Sequence, residues 1–416
     1  MNLKAFVGII LLFCTSCGNS ANDAQATAEV LAKAQSSTAK ADSPVVLSRT
    51  PVLGADQYGK VQQALKGKRV GLVVNHTSTS GDQHLVDRLH ADPAINVVKV
   101  FGPEHGFRGE ASDGEKVTDQ RDTKTGLPII SLYGKTKKPT KAMLEGLDII
   151  VFDIQDVGLR FYTYISTMHY VMDAAAEHDL PVLILDRPNP NGQLTDGPIL
   201  KPKFKSFIGM HPIPVAHGLT VGELAQMING EGWLTEGQQA KLTIISVLDY
   251  QVGDVYELPI QPSPNLPNQT SIYLYPTLCF FEGTVISVGR GTDFPFQVIG
   301  HPKLKVDGGF AFTPTSRAAS KYPKLENKAC RGIDLRVETT APPTEIDFEF
   351  VAEMMAKTDA SPFINRNDHF DKCAGTDALR KALTSGMSME AYRASYADEL
   401  AQYLEMRKAY LLYERS

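Results

Sequence analysis

The chain has 416 residues, 43% of them hydrophobic and 21% charged, with a formal net charge of −5. That is an ordinary globular composition with length enough for two or three domains. No large basic face is implied, which excludes nucleic acid as a partner.

The first residues read as an export signal. Met1–Lys4 is a short basic start, and Ala5 to Phe13 is an apolar run too short to span a bilayer as a stable helix. Cys14-Thr15-Ser16-Cys17-Gly18 follows. Small residues before a cysteine are similar to a bacterial lipoprotein signal, so residues 1–17 are expected to be the signal and Cys17 the lipidated residue. Cys14 stands where Leu is usual, and the alternative is ordinary secretion with cleavage further on. Residues 18–48 are rich in Ala, Ser, Thr, Gln and Lys, too poor in apolar surface to order themselves, and read as a solvated tether. The expected location is the periplasm or cell surface, with an outer-membrane lipid anchor as the only membrane contact. Cys279, Cys330 and Cys373 remain, an odd number without a CxxC pair; they read mostly as small buried hydrophobes.

From Lys68 the pattern alternates. Strands are predicted at Arg69–Asn75, Ile95–Phe101, Pro128–Tyr133, Asp148–Ile154, Pro181–Asp186 and Lys241–Val247. Helices are predicted at His84–His90, Lys141–Glu145, Ser166–His178 and Val221–Asn229. The strands are continuous Val/Ile/Leu runs, which signals burial on both faces of a parallel sheet. The fold class is therefore α/β, a Rossmann-like, mostly parallel sheet over residues 49–278. A rigid Pro/Asn stretch, Gln261–Gln269, leads into a smaller C-terminal α/β (α+β) domain, residues 279–416. Its strands are expected near Val285–Val288, Leu304–Val306 and Ile333–Val337, and its helices near Phe348–Lys357, Thr376–Thr384 and Met389–Leu412.

In an open parallel sheet the ligand crevice lies beyond the carboxyl ends of the strands. Those ends carry Asn75, Glu104-His105, Tyr133, Asp153-Gln155-Asp156 and Asp186-Arg187-Asn189. The first strand–helix turn, Asn75 to Gly81, lacks the G-x-G-x-x-G of a dinucleotide site, and neither a P-loop nor G-x-S-x-G occurs. No clear metal-ligand cluster is present, and no cofactor or metal is expected.

What remains is carboxylate chemistry. Glycosidic cleavage needs an acid to protonate the leaving oxygen, and usually a second group at the anomeric carbon. Glu104, in the turn Phe101-Gly102-Pro103-Glu104-His105-Gly106-Phe107-Arg108-Gly109, is the leading donor. The competing reading is a Glu104–Arg108 pair that stiffens the turn. In Asp153–Tyr164, Asp153 and Gln155 share one side of a strand, and Tyr162 and Tyr164 offer hydroxyls and flat faces that suit sugar rings. Asp156 and Arg160 could instead brace the loop. Asp186, Arg187 and Asn189 could meet hydroxyls or acetamides, or merely form a turn. His217 is a substrate contact or a core residue. Glu282 is a second carboxylate near the domain junction, with Arg290 placed to meet a substrate carboxylate or to pair with Asp293. Asn265 lies in the Pro/Asn stretch.

Taken together these segments resemble a known family, the exo-acting β-N-acetylmuramidases of bacterial cell-wall turnover, long known only as a domain of unknown function. The resemblance rests on Gly102-Pro103-Glu104-His105-Gly106, Asp153-Ile154-Gln155-Asp156-Val157-Gly158 and Arg160-Phe161-Tyr162-Thr163-Tyr164. It continues through Asp186-Arg187-Pro188-Asn189-Pro190, Pro262-Ser263-Pro264-Asn265-Leu266-Pro267, Phe281-Glu282-Gly283-Thr284 and Gly289-Arg290-Gly291-Thr292-Asp293. Ala374-Gly375-Thr376-Asp377 and Tyr410-Leu411-Leu412-Tyr413 complete it. Val285 departs from the Asn expected after Thr284.

The resemblance implies an active site in a cleft between the two domains and release of N-acetylmuramic acid from non-reducing ends of peptidoglycan fragments. It maps the catalytic acid onto Glu104 and leaves the second group open between Glu282 and Asp153. Selecting the lactyl carboxylate of that sugar needs a cation, which Arg290, Arg160 or Arg108 could supply. The rival from another class is a lipid-anchored binding protein for amino sugars or muropeptides without turnover.

Overall fold

The computed structural model describes residues 50–104, 106–108, 120–337 and 341–415. The signal and tether, Cys17 and His105 lie outside the described residues.

Seven strands form the main sheet: β1 (Arg69–Val74), β2 (Asn96–Gly102), β3 (Gln120–Arg121), β4 (Pro128–Ser131), β5 (Ile149–Asp153), β6 (Pro181–Leu185) and β7 (Lys241–Ile245). Their spatial order is β7-β6-β5-β1-β2-β4-β3. All are parallel except the short edge strand β3. Within this order the chain winds outward from β1 through β2 and β4, then returns to β1's other side with β5. The switch point therefore lies between β1 and β5, where an open α/β sheet leaves a crevice.

Burial explains the unbroken apolar runs. Val70, Leu72 and Val74 of β1 pack on one face with Ile149, Val151, Leu183 and Leu185. Val73, Ile150, Phe152, Val182 and Ile184 pack on the other. Successive side chains point to opposite faces, and both faces are dry.

The helices are α1 (Tyr58–Leu65), α2 (Leu85–Ala91), α3 (Lys141–Leu144), α4 (Tyr164–Glu177), α5 (Val221–Gly230), α6 (Gln269–Leu278), α7 (Phe348–Lys357), α8 (Asn367–Ala374), α9 (Ala378–Ser385), α10 (Met389–Ala394) and α11 (Ala397–Met406). Both α5 and α6 begin with reciprocal capping boxes, Thr220 with Glu223 and Asn268 with Ser271. The C-terminal part carries a three-stranded antiparallel sheet in the order β8 (Val298–His301), β10 (Cys330–Asp334), β9 (Phe310–Phe312).

Three expectations fail in this part. Val285–Val288 is not a strand; Ser287 makes only an isolated bridge to Gly300. Leu304–Val306 likewise contributes a single bridge, Leu304 to Thr358. The long helix expected over Met389–Leu412 is broken between α10 and α11, and Arg407–Tyr410 is a 3-10 turn. Tyr396 leaves helical geometry at the break, and its hydroxyl donates to buried Asp196 at 3.0 Å. The apolar stripe continues across the break, so periodicity alone does not register it.

Candidate active site

β2 ends in a turn closed by the Gly106 amide donating to the Pro103 carbonyl at 3.0 Å. Gly106 has φ 75°, a left-handed conformation that favours glycine. The turn presents half-buried Glu104. Thr163 occupies the N-cap position of α4, yet its hydroxyl does not cap the helix; it donates to Glu104 Oε2 at 2.6 Å. A residue after β5 thus fixes a carboxylate after β2, across the sheet's switch point.

Glu104 lines a cavity of about 170 Å³ together with Thr163, Asn265, Glu282, Arg290 and a set of aromatic rings. Tyr162 and Tyr164 meet edge to face at 5.0 Å, Phe161 and Tyr275 at 5.3 Å, and Tyr275 and Phe296 at 4.8 Å. Burial pushes the Tyr162 phenol well above its ordinary range, and its hydroxyl donates to the Pro262 carbonyl at 2.7 Å. That bond ties the Pro/Asn stretch to the site. Asn265 donates to the Ala319 carbonyl at 2.8 Å.

The lining also includes Glu282, on the 3-10 turn Cys279–Gly283. Arg290 donates to both its oxygens, Nε at 2.6 Å and Nη2 at 3.0 Å, while its guanidinium lies 4.9 Å over the Phe296 ring. Burial alone would raise the Glu282 carboxyl. Arg290 outweighs it, helped by Lys324 and His369, and holds Glu282 below the ordinary carboxylate range. Lys324 also donates to the carbonyls of Phe281 at 2.8 Å, Glu282 at 3.3 Å and Ile286 at 2.9 Å, which fixes the loop. Asp293 pairs with Arg317 instead of Arg290.

The other predicted residues among those described lie outside this cavity lining, and most are committed elsewhere. Asp153 is wholly buried in a two-bond ion pair with Arg187, at 2.6 and 2.9 Å, and Arg187 also donates to the Thr79 carbonyl. Asp186 accepts from Thr220, Gly222 and Tyr413 at 2.6 to 2.8 Å, and burial pushes it up to about 6. It anchors the chain's end and the start of α5. Gln155 donates to the carbonyls of Asp156 and Pro188. Asn189 donates to the Leu219 carbonyl at 2.9 Å.

Arg160 is a strut. It is fully buried and donates to the carbonyls of Pro198 at 2.9 Å, Ile213 at 2.5 Å and Cys373 at 3.2 Å. Gly375 accommodates it: a side chain there would meet the guanidinium at 2.3 Å. Arg108 braces the β2 turn through Asp122, with two bonds of 2.8 Å, and Asp87 at 3.0 Å; neither contact involves Glu104.

Asn75, Asp156 and His217 form a buried polar group at the ends of β1 and β5. His217 Nε2 lies 3.7 Å from Asp156 Oδ2. Asp156 accepts from the Gly158 amide at 2.7 Å, and Asn75 accepts from the Thr77 hydroxyl at 2.6 Å. Tyr164 faces Asn75, Asp156 and Glu104, and so links this group to the cavity wall.

Sequence reasoning missed Thr163, Ser263, Tyr275, Phe296, His369, Cys279 and Cys373, all of which line the cavity. Thr163 sat inside a singled-out motif, where its position at a helix start was the only available signal. His369 and Cys373 are one helical turn apart on α8, a spacing the sequence does offer.

Comparison with known proteins agrees with this architecture. Models of the exo-β-N-acetylmuramidase NamZ family match residues 70–270 (N-terminal) and 273–413 (C-terminal). The peptidoglycan β-N-acetylmuramidase NamZ of Bacillus subtilis is 42% identical over 377 residues, 85% of this chain and 88% of that protein. A crystal structure of a DUF1343 family protein from Bacteroides fragilis superposes with a TM-score of 0.81 at 42% identity, covering 88% of this chain and 100% of that one. A second protein of that family from the same organism gives 0.75 at 30% identity, covering 88% and 99%.

Proposed function

The chain belongs to the exo-β-N-acetylmuramidase NamZ family, and on that premise we propose that it hydrolyses the terminal β-N-acetylmuramoyl bond at non-reducing ends of peptidoglycan fragments, with Glu104 as the general acid. The observation that carries the assignment is how the three predicted carboxyls are held. Asp153 is ion-paired with Arg187 and Glu282 with Arg290. Glu104 has no ion-pair partner among the described residues; its contact there is the Thr163 hydroxyl. A group that must carry a proton to a leaving oxygen cannot be locked to a cation, because the pairing favours the ionised form.

Glu282 suits the complementary role. Arg290 keeps it ionised in the same cavity, where a fixed negative charge would stabilise positive charge developing at the anomeric carbon. The aromatic rings offer flat faces for the apolar side of a pyranose, and a cavity of about 170 Å³ suits a terminal residue better than a strand threading through. At the chain's start, Cys17 is the proposed lipidation site of a periplasmic or cell-surface lipoprotein. Loss of labelled-palmitate incorporation in Cys17→Ala would support it, and retained label would remove it.

The test is incubation with a chromogenic N-acetylmuraminide and with peptidoglycan fragments. Release of chromophore and of free N-acetylmuramic acid is expected. Tight binding without turnover would instead favour the sugar-binding reading.

A further inference from the structure

Muramic acid differs from glucosamine by its lactyl ether, so a site that selects it must meet a carboxylate with a cation. The three arginines considered for this from the sequence are already engaged. Arg160 and Arg108 lie outside the cavity lining, the first on three carbonyls and the second on Asp122 and Asp87. Arg290 lines the cavity, but its Nε and Nη2 both donate to Glu282. Among the described residues of the lining, the remaining side chain able to carry positive charge is His369.

His369 stands in the first turn of α8 and is half-buried. Backbone contacts hold that turn against the 3-10 turn bearing Glu282. The Gly283 carbonyl accepts from the Asn365 amide at 3.2 Å and the Arg366 amide at 3.1 Å. A side chain at Gly283 would meet Phe370 Cβ at 2.7 Å, so the residue after His369 packs on bare backbone. Within α8, His369 and Cys373 are one turn apart, and Nε2 lies 3.6 Å from the Cys373 sulfur. With the thiol donating to Nε2, the neutral ring's own proton sits on Nδ1, and protonation of the ring keeps Nδ1 a donor. The helix thus orients the imidazole and leaves one donor for a ligand.

We propose that His369 recognises the lactyl carboxylate, with Nδ1–H donating to it, and so sets the preference for N-acetylmuramic acid over N-acetylglucosamine. The choice of ligand rests on the function proposed above. Local charge supports the assignment. The Cys373 sulfur and the Glu282 carboxylate hold the imidazole above its ordinary range, against burial and the Arg366 guanidinium. Glu282 divides its charge among Arg290, Lys324 and His369. A second carboxylate entering beside Glu282 adds negative charge, which favours the protonated ring when the sugar binds. The contact is then a charge-assisted hydrogen bond that a glucosaminide cannot make. Its pH dependence has one sign. At low pH the carboxylate meets a cation, and as pH rises through the imidazole's titration it meets only a neutral N–H, so the preference declines.

The experiment compares 4-nitrophenyl N-acetylmuraminide with its lactyl methyl ester, which keeps the group and removes its charge. The acid-to-ester ratio of kcat/KM should fall about 10- to 100-fold in His369→Gln, with the melting temperature near the parent's. In the parent the ratio should decline as pH rises above about 6.5, and in the variant it should stay flat. Arg366→Gln should keep the parent's preference. An unchanged ratio in His369→Gln, a loss confined to Arg366→Gln, or a parent ratio indifferent to pH overturns the assignment. If the parent turns over neither compound, the proposed function fails, and calorimetric binding of N-acetylmuramic acid still decides the recognition. Weaker binding by His369→Gln than by the parent would support it; equal affinity, or no binding by the parent, would overturn it.

Discussion

Glu104→Gln separates proton donation from every other contribution of this side chain. The amide oxygen can still accept the Thr163 hydroxyl, now 2.6 Å from Glu104 Oε2, so one charge-assisted bond becomes a neutral one. That change is worth about 1 kcal/mol or less, because Glu104 is only half-buried. The melting temperature should move by no more than about 2 °C. The rate should respond far more, since a positioned acid contributes about 10²–10⁴-fold. At about 1.36 kcal/mol per decade that is roughly 3–5 kcal/mol of barrier. The decisive comparison varies the leaving group. A sugar leaves poorly without a proton, whereas a nitrophenol leaves readily as its anion. On an N-acetylmuramyl-N-acetylglucosamine disaccharide, kcat/KM should fall about 10³-fold, and on the 4-nitrophenyl muraminide only about 10-fold. Equal losses on both substrates would refute the acid role and point to a nucleophile or a structural function. Undiminished activity on the disaccharide would remove Glu104 from catalysis.

Arg160→Met deprives three buried carbonyls of their donors and should lower stability by about 3 kcal/mol or more in urea, with KM for the muraminide unchanged; a raised KM at full stability would restore Arg160 to the binding site. Arg290→Gln leaves Glu282 unpaired, and since the two side chains are 18% and 21% exposed the loss should be about 1–2 kcal/mol at pH 7. Glu282 is held below its unfolded value, so this contribution is present above about pH 4.3 and disappears as pH falls; the gap between parent and variant in urea should narrow at pH 3.5. Asp186 titrates the other way. Burial raises it to about 6, so the native state binds the extra proton between about pH 4 and 6, and stability from this group falls as pH rises through that window. Asp186→Asn should therefore flatten the pH dependence there by about 2 kcal/mol, and an unchanged slope would count against the raised value. His169 and His211, 3.1 Å apart, are kept neutral by burial, so their stabilisation is present above about pH 6.5 and lost on acidification; His211→Gln should blunt acid unfolding between pH 6 and 4.

The six parallel strands and the helices α2 to α5 of the first part were legible because each is a local signal, whereas α1 and α6 were not read from the sequence. An unbroken run such as Arg-Val-Gly-Leu-Val-Val at 69–74 states its own length and its burial on both faces. Placing polar residues at the strand ends followed from chain direction alone. Less survived in the second part, where β8, β9 and β10 are short and antiparallel and are defined by pairing across sequence gaps that no periodicity records. Tyr396 shows the same limit inside a helical stripe: the partner that breaks the helix, Asp196, is 200 residues away.

The sequence by itself determined the sheet, the crevice side and the set of candidate carboxyls, arginines and tyrosines. Only the tertiary structure decided among them. Asp153, Glu282 and Glu104 are alike as letters; a cation within 3 Å of the first two and a hydroxyl beside the third separate them. Arg160 and Arg290 were equal candidates for an anion until one proved to hold three carbonyls and the other a carboxylate on the cavity wall. The physical reason is that a titratable group's chemistry is set by what lies within a few ångströms of it, and in this chain those neighbours come from remote segments.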